Sequence, residues 1–376
     1  MTPGAARAAP EPVSDASRIA RAALSRVCEP DDHELHAMLD AIGPEAAWDE
    51  LRTGGGPEDL RGRVGARLAA ARPEADLAAV ARLGGRLVCP GDAEWPAALA
   101  DLRRPPIALW ARGAGRLDEC SERSVAIVGS RAASSYGTAV AGELAAGLGD
   151  AGWATASGGA YGIDAAVHRG SLAAGTPTIA VLACGVDVPY PRGHDVLFER
   201  ITADGVIVSE WPPGCSPMRH RFLTRNRVIA ALAHGTVVVE AAARSGALRT
   251  ARDAMALGRP LMAVPGPVTS AMSVGCHELI RNDGAVCVTR MEEVVEVVGR
   301  MGEDLAAPRP GLFDPRDALS AEIRRVLDAV PKRQPATTSA IARSSGLPES
   351  TVRPALGALV AAALVEAGAG RYRLAT

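Results

Sequence analysis

The sequence predicts an α/β protein built around a doubly wound parallel sheet. Between residues 124 and 300, short apolar runs of strand type alternate with longer helical patterns. The apolar runs lack polar alternation, which is typical of parallel strands that are covered by helices on both faces. Most of the runs end in a glycine-containing turn. Because ligands of such sheets bind beyond the carboxyl ends of the strands, these turns are where a site is expected.

Seven strands and six helices are predicted in this region. The strands are Val125–Val128, Ala154–Ser157, Thr178–Ala183, Val206–Ser209, Thr236–Glu240, Leu261–Val264 and Ala285–Val288. The helices are Tyr136–Ala151, Asp164–Ala174, His194–Ala203, Thr224–Ala233, Ala247–Leu257 and Val274–Asn282.

The segments before the sheet differ from it in composition. Residues 1–16 have no apolar core, so we expect a disordered tail rather than a signal peptide. Residues 17–85 carry apolar side chains at three- and four-residue spacing, interrupted by Pro and Gly, which predicts a small helical N-terminal domain. The sheet domain is assigned to 86–300, and within it the Pro-rich stretch 89–109 is predicted to be an ordered connector.

A Pro-, Gly- and acid-containing linker at 301–316 separates a C-terminal domain at 317–376. Three helices, Ala318–Val330, Thr337–Ser344 and Pro348–Ala363, precede a hairpin around Gly368–Gly370. Three helices and a hairpin predict a winged helix-turn-helix, although any small helical packing domain would give a similar pattern. With eight basic and five acidic residues, this domain could contact either DNA or protein.

Composition excludes several classes of protein. No apolar stretch is long enough for a membrane span. The seven cysteines form no CxxC pair, which argues against a zinc site or disulfide framework and favours a cytoplasmic protein. Lys332 is the single lysine among 41 basic residues, and the others are arginines, which suit bidentate phosphate contacts.

The first glycine turn lies in VAIVGSRAASSYGTAVA, residues 125–141. A strand, then Gly129, Ser130 and Arg131, then a helix N-terminus together predict an anion site. The dinucleotide fingerprint is missing, since the next glycine after Gly129 is Gly137, and no Walker A loop is present. We therefore expect no nucleotide cofactor.

The other turns repeat this arrangement along one edge. SGGAYGIDAAVH, residues 157–168, offers a second glycine turn, with Asp164 as a capping or helix-dipole partner. Arg192 and Arg244 add positive charge to two further turns, and Ser245–Gly246 opens a helix. One phosphate needs only one such turn, whereas a row of turns carrying arginine suits a string of phosphates.

A basic run, MRHRFLTRNR at 218–227, follows the fourth strand and holds four arginines without an acid. Such a run is either a solvated face or a nucleic-acid contact. Phe222 within it is either a core residue or a ring on which a base stacks.

Catalytic patterns are not recognisable. There is no Ser/His/Asp motif, no cysteine with a histidine signature and no pair of carboxylates. Glu240, at the end of a core strand, is the best candidate acid. We expect a protein without catalytic activity and without a metal.

Several motifs, in order over residues 88–290, resemble the DNA-processing protein A family (DprA, also called Smf). They are GSR, SGGAYGID, GVDVPYP, SEWPPG, FLTRNR, VVVEAAARSGALRTA and VPG. The resemblance implies an extended Rossmann-like domain, preceded by a sterile-alpha-motif-like or helix-hairpin-helix domain and followed by a winged helix. It also implies binding of single-stranded DNA, protection of incoming DNA and loading of the RecA recombinase during natural transformation, by a homodimer joined through the Rossmann-like domain.

The resemblance also carries residue roles. It implies that Arg131 binds the DNA backbone, that Arg219 is a basic contact and that Phe222 contacts bases. The Arg225–Arg227 signature either contacts DNA or, in part, holds the fold. His277 replaces a common Asn, and Leu223–Thr224 replace a frequent Pro. The full predicted DNA-binding set is Gly129, Ser130, Arg131, Ser157, Gly158, Gly159, Gly162, Arg192, Arg219, Phe222, Arg225, Asn226, Arg227, Ser245 and Gly246.

An alternative is a nucleotide-processing enzyme similar to the cytokinin-activating phosphoribohydrolases (the LOG family). These share a first loop of Gly-Ser-Arg type and use an acid against the ribose. Their PGGxGTxxE motif is absent, and PGPVTSAMSVG follows the sixth strand instead.

Overall fold

The computed structural model describes residues 13–300, 304–306 and 319–375. The chain divides into two compact units between Ala306 and Ala307. The predicted tail and linker lie mostly outside the described residues. The first helix begins at Asp15, so the predicted tail extends two residues too far. Within the described residues, no helix is long and apolar enough to cross a membrane.

The first unit begins with four helices, and the contacts group them with the sheet in one unit. Ser14 caps the first helix by accepting a hydrogen bond from the Ser17 amide, and Asp32 caps the second in the same way. Leu24, Leu35 and Leu51 form their buried core. The helices are α1 (Asp15–Val27), α2 (His33–Arg52), α3 (Glu58–Leu68) and α4 (Pro73–Arg82).

Nine strands follow in one sheet. They are β1 (Gly85–Val88), β2 (Leu109–Arg112), β3 (Ser124–Val128), β4 (Ala154–Ser157), β5 (Thr178–Leu182), β6 (Val206–Ser209), β7 (Thr236–Val238), β8 (Leu261–Ala263) and β9 (Val286–Cys287). Their order across the sheet is β1-β2-β6-β5-β4-β3-β7-β8-β9. Strands β3 to β9 are parallel, and they correspond to the seven predicted strands.

The sheet is mostly parallel, as predicted, but at one edge β1 and β2 run antiparallel and β2 pairs antiparallel with β6. The Pro-rich segment predicted as a connector therefore joins two missed strands. Each contains an arginine, Arg86 in β1 and Arg112 in β2, so neither is an uncharged run like the seven parallel strands. Trp110 on β2 is fully buried, and its indole N–H donates to the Ser25 hydroxyl of α1 at 3.1 Å.

Helices cover both faces of the parallel strands. Buried residues such as Val128 and Val181 form a core on one face, and Ile127 and Val237 form a second core on the other. This explains the apolar, unalternated strands. The helices are α5 (Leu117–Glu122), α6 (Ser135–Asp150), α7 (Ile163–Ala173), α8 (Asp195–Asp204), α9 (Arg219–Leu232), α10 (Ala247–Ala256), α11 (Val274–Asn282) and α12 (Met291–Val298).

The strand order reverses direction at β3. From β3 the chain proceeds outward through β4, β5 and β6, and then returns to add β7, β8 and β9 on the opposite side of β3. The crevice beyond the carboxyl ends of β3 and β7 is therefore the topological switch point, where doubly wound sheets bind their ligands.

In the second unit, the described residues 319–375 form three helices and a small antiparallel sheet. Buried Val326, Ile341 and Leu356 form its core. The elements are α13 (Ala321–Ala329), β10 (Ala336–Thr337), α14 (Thr338–Ser345), α15 (Glu349–Ala361), β11 (Val365–Gly368) and β12 (Arg371–Leu374). The predicted helices and hairpin are present, with β10 added beside β12. The winged-helix assignment stays a prediction.

Candidate nucleic-acid interface

A cavity of about 460 Å³ lies at the switch point, between the turns after β3 and β7 and the helices α9 and α10. It brings together eight of the predicted site residues: Gly129, Ser130, Arg131, Phe222, Arg225, Asn226, Ser245 and Gly246. Gly158 lines a smaller neighbouring cleft. The remaining six, Ser157, Gly159, Gly162, Arg192, Arg219 and Arg227, line neither space.

The turn after β3 requires glycine for reasons of space. A Cβ at Gly129 would lie 2.5 Å from Ile163 Cγ1 and 3.0 Å from the Glu240 carbonyl oxygen. The Ser130 amide donates to that same carbonyl at 2.8 Å, and the buried Ser130 hydroxyl accepts from the Ala132 amide. The turn is thus tied to the end of β7, and the exposed Arg131 is the first side chain it presents to solvent.

Glu240 holds the N-terminus of α6. Its Oε1 accepts from the Ser134 hydroxyl at 2.5 Å, and its Oε2 accepts from the Ser134 amide at 2.9 Å. The Ser134 hydroxyl in turn caps α6 by accepting from the Gly137 amide. Glu240 is fully buried. Sequence analysis selected Glu240 as the best candidate acid. In the structure both of its carboxylate oxygens accept from Ser134 and so position the segment after β3.

The turn after β4 encloses two buried residues of opposite charge, Arg225 and Asp164. Arg225 Nη1 donates to the carbonyl oxygens of Gly158, at 2.6 Å, and Val181. The Asp164 carboxylate, in the first turn of α7, accepts from the Ala160 amide at 3.2 Å. Burial lowers the pKa of Arg225 to about 10, and the nearby Asp164 opposes that effect. Burial likewise raises the pKa of Asp164, against the effect of Arg225. Asp164 is therefore chiefly the counter-charge of Arg225.

Three other predicted site residues of this region shape the backbone. The Ser157 hydroxyl is fully buried and donates to the Ile127 carbonyl oxygen at 2.7 Å. Gly162 has φ of +77°, and a Cβ there would lie 2.3 Å from the Ser130 carbonyl oxygen. The Gly159 carbonyl oxygen accepts from His194 Nδ1 at 3.1 Å. These three residues therefore hold the turn in position, and other side chains form its exposed surface.

Helix α9 begins at Arg219 rather than at the predicted Thr224, so the basic run is helical. Its arginines divide into two groups. Arg219 is exposed, whereas Arg221 pairs with Glu29 at 2.9 Å and Arg227 pairs with the buried Glu210 at 2.5 Å. Together with Arg225, three of the four guanidinium groups are engaged inside the protein.

Neither interpretation of this run, as a solvated face or as a nucleic-acid contact, describes all four arginines, because three have partners inside the protein. A guanidinium inside a protein is tolerated when its N–H groups have partners. Arg221 and Arg227 donate to carboxylates, and Arg225 donates to carbonyl oxygens. Asn226 is also buried, and its Nδ2 donates to the Gly246 carbonyl oxygen at 3.4 Å. Four arginines at this edge are exposed: Arg131, Arg192, Arg219 and Arg244.

Phe222 lies in the same run, between the exposed Arg219 and the buried Arg225, and is half-buried. The Arg131 guanidinium carbon stands 4.5 Å from the centroid of its ring, in a cation–π contact. The Tyr190 ring lies beside it, with centroids 5.6 Å apart. Phe222 thus orients the arginine that the β3 turn presents.

Two features escaped sequence analysis. Glu29, between α1 and α2, accepts from Arg221 and, at 3.1 Å, from the Trp211 indole N–H, so the N-terminal helices anchor α9. No local pattern joins residues that are about 190 positions apart. Tyr161 and Tyr190 are the second feature, since both border the smaller cleft with exposed rings. A tyrosine inside a glycine turn is the signal that could have identified the first of them.

Among the described residues, no group of three His, Cys, Asp or Glu side chains is placed to hold a metal ion.

Comparison with known proteins gives concordant matches. A family model described as DNA recombination-mediator protein A matches residues 86–299. A putative DNA processing protein DprA of Mycobacterium tuberculosis is 48% identical over 373 residues, covering 96% of this chain and 95% of that protein.

Two solved structures are also similar. The X-ray structure of DprA from Streptococcus pneumoniae matches with a TM-score of 0.65 and 29% identity, over 76% of this chain and 99% of that one. A structure of DprA from Helicobacter pylori, described in terms of its single-stranded DNA binding mode, matches with a TM-score of 0.51 and 28% identity, over 56% and 94%. The match to the family model and the near-complete mycobacterial alignment lead to one conclusion: the chain belongs to the DNA recombination-mediator protein A family.

Proposed function

We propose that this protein binds single-stranded DNA along the carboxyl edge of its sheet and loads RecA recombinase onto the strand. The observation that carries the proposal is the balance of charge at this edge. Arg131 and Arg244 line the switch-point cavity with exposed guanidinium groups, whereas the acid that lines it, Asp164, is buried beside Arg225. A phosphate entering the cavity therefore meets positive charge that no neighbouring carboxylate cancels.

The arrangement suits a strand better than a single nucleotide. Arg192 and Arg219 lie outside the cavity, on the turn after β5 and at the start of α9. Successive phosphates can pair with successive arginines, and each pairing releases counterions from the strand. Because Phe222 already orients Arg131, little side-chain entropy is lost when a phosphate binds there.

Family membership supports the remaining parts of the proposal. We expect RecA to be the protein partner, and we expect a cytoplasmic homodimer joined through the sheet domain that protects incoming DNA during natural transformation. The name of the family model, recombination mediator, supports this assignment. The C-terminal unit is proposed to be a winged helix that contacts either DNA or protein.

The test is fluorescence anisotropy with single-stranded and double-stranded oligonucleotides of matched length, across a range of salt concentrations. We expect tighter binding to the single strand, little sequence preference and affinity that falls with salt. Tighter or equal binding to the duplex would contradict the proposal. An AMP-cleavage assay covers the phosphoribohydrolase alternative. That alternative requires cleavage which Glu240→Ala abolishes, although both oxygens of Glu240 are engaged by Ser134.

RecA loading is tested separately, by strand exchange on DNA coated with single-strand-binding protein. We expect addition of the protein to shorten the lag before RecA acts. An unchanged lag, with DNA binding intact, would limit the function to DNA binding.

A further inference from the structure

Two tyrosines beside the phosphate-binding cavity leave much of their rings in solvent. Tyr161, in the glycine turn before α7, is 51% exposed, and Tyr190, in the turn after β5, is 41% exposed. Both line a cleft with Arg131 and Phe222. The cleft is about 50 Å³, too small to enclose a nucleobase, so a base would lie across its rim against the exposed rings.

Packing on one side holds these rings in place. The Tyr161 ring meets His194 edge-to-face, with centroids 4.7 Å apart. His194 also donates to the Gly159 carbonyl oxygen, which ties the turn of Tyr161 to the turn of Tyr190. Tyr190 packs against Phe222. The tyrosines are thus preorganised on the protein side and open on the solvent side, which is the arrangement of a stacking platform.

Phe222, the aromatic residue that sequence analysis selects for stacking, has less free surface. The Arg131 guanidinium occupies one face of its ring, and Tyr190 lies beside it. The open aromatic surface at this edge therefore belongs to the tyrosines. Arg131 lines both the cavity and the cleft, so a phosphate held there brings the adjoining bases to the cleft.

We propose that Tyr161 and Tyr190 form a nucleobase-stacking subsite, an inference that rests on the proposed binding of single-stranded DNA. The subsite takes any base, because every base offers a π-face. Arg192, two residues after Tyr190 and exposed, supplies a cation for the next phosphate. Phosphates and bases are in this way bound by different side chains of the same edge.

The experiment compares a thymidine oligonucleotide with an abasic oligonucleotide of equal length, using the full chain. We expect Tyr161→Ala and Tyr190→Ala each to weaken binding of the thymidine strand by about 5- to 150-fold, the range expected for loss of one stacked base. Their affinity for the abasic strand should equal that of the wild type. Tyr161→Phe and Tyr190→Phe should retain binding because the ring remains.

Two further variants serve as controls. Tyr136→Ala removes a ring that is 39% exposed and lies outside the cleft, and it should bind both strands as the wild type does. Tyr190→Leu keeps an apolar contact to Phe222 but has no aromatic face. If Tyr190→Ala folds poorly, the affinity of Tyr190→Leu for the two strands tests the same loss of stacking.

Three results would overturn the inference. Equal wild-type affinity for the two strands would show that bases are not bound, while the proposed function stands. Alanine and leucine variants that retain full affinity for the thymidine strand would place the bases elsewhere. Failure of the wild type to bind the thymidine strand at all would remove the proposed function and this inference with it.

Discussion

The division of the arginines of α9 into exposed and internal residues predicts opposite outcomes for Arg219→Ala and Arg225→Met. Arg225 is 4% exposed, and its loss leaves the buried Asp164 carboxylate without its counter-charge. The Gly158 and Val181 carbonyl oxygens also lose a donor. Leaving a buried charge without its counter-charge costs about 3–5 kcal/mol. At about 2–4 °C per kcal/mol for a large domain, the melting temperature should fall by roughly 6–20 °C.

Arg219→Ala should leave the melting temperature unchanged and weaken DNA binding. One phosphate contact on a single strand contributes about 0.7 to the slope of log affinity against log salt. If the contact contributes nothing at 1 M salt, the variant should bind about fivefold more weakly than the wild type at 0.1 M salt. Calorimetry and anisotropy across a salt series measure both quantities on the same preparations.

The double variant Asp164→Leu with Arg225→Met is the internal control. It removes both buried charges, so its loss of unfolding free energy should be smaller than the sum of the losses in the two single variants. Arg225→Met that melts like the wild type but fails to bind DNA would refute the assignment, because its guanidinium would then act on the strand.

Three further perturbations follow from the structure. Arg131→Ala should weaken binding of every sequence and lower the salt slope by about 0.7, while Arg131→Lys should keep most of the slope; an unchanged slope in the alanine variant would make this turn purely structural. His168 is fully buried, and burial lowers its pKa to about 3. The unfolded chain therefore takes up its proton first as pH falls below 6.5, and stability that is present at neutral pH is lost towards acid. Between pH 6.5 and 4.5, the unfolding free energy of the wild type should fall by about 2 kcal/mol more than that of His168→Gln, and parallel profiles would contradict this. Truncation after residue 306 should leave single-strand affinity intact, since the cavity and cleft are built from the first unit alone; loss of most of the affinity in a folded truncation would place the C-terminal unit in the DNA site.

Local sequence was enough to locate the parallel strands and the edge that carries the site. Runs such as Val125–Val128 are continuous and apolar because helices cover both faces. Turns such as that at Gly129 follow directly on the strands, and parallel strands place their carboxyl ends at one edge. Both properties depend on neighbours in the chain, so a single sequence displays them. The β1 and β2 strands were missed because each carries an arginine and both flank the Pro-rich segment that was interpreted as a connector.

Which charged side chains are exposed at this edge was decided only by the tertiary structure. Arg219 and Arg225 belong to the same basic run, and the sequence does not distinguish them. In the structure Arg219 is exposed, whereas Arg225 donates to carbonyl oxygens of residues 67 and 44 positions away. Arg221 likewise finds Glu29 at the other end of the first unit. The cost of burying a guanidinium depends on whether partners are already in place, and those partners come together only when distant elements pack.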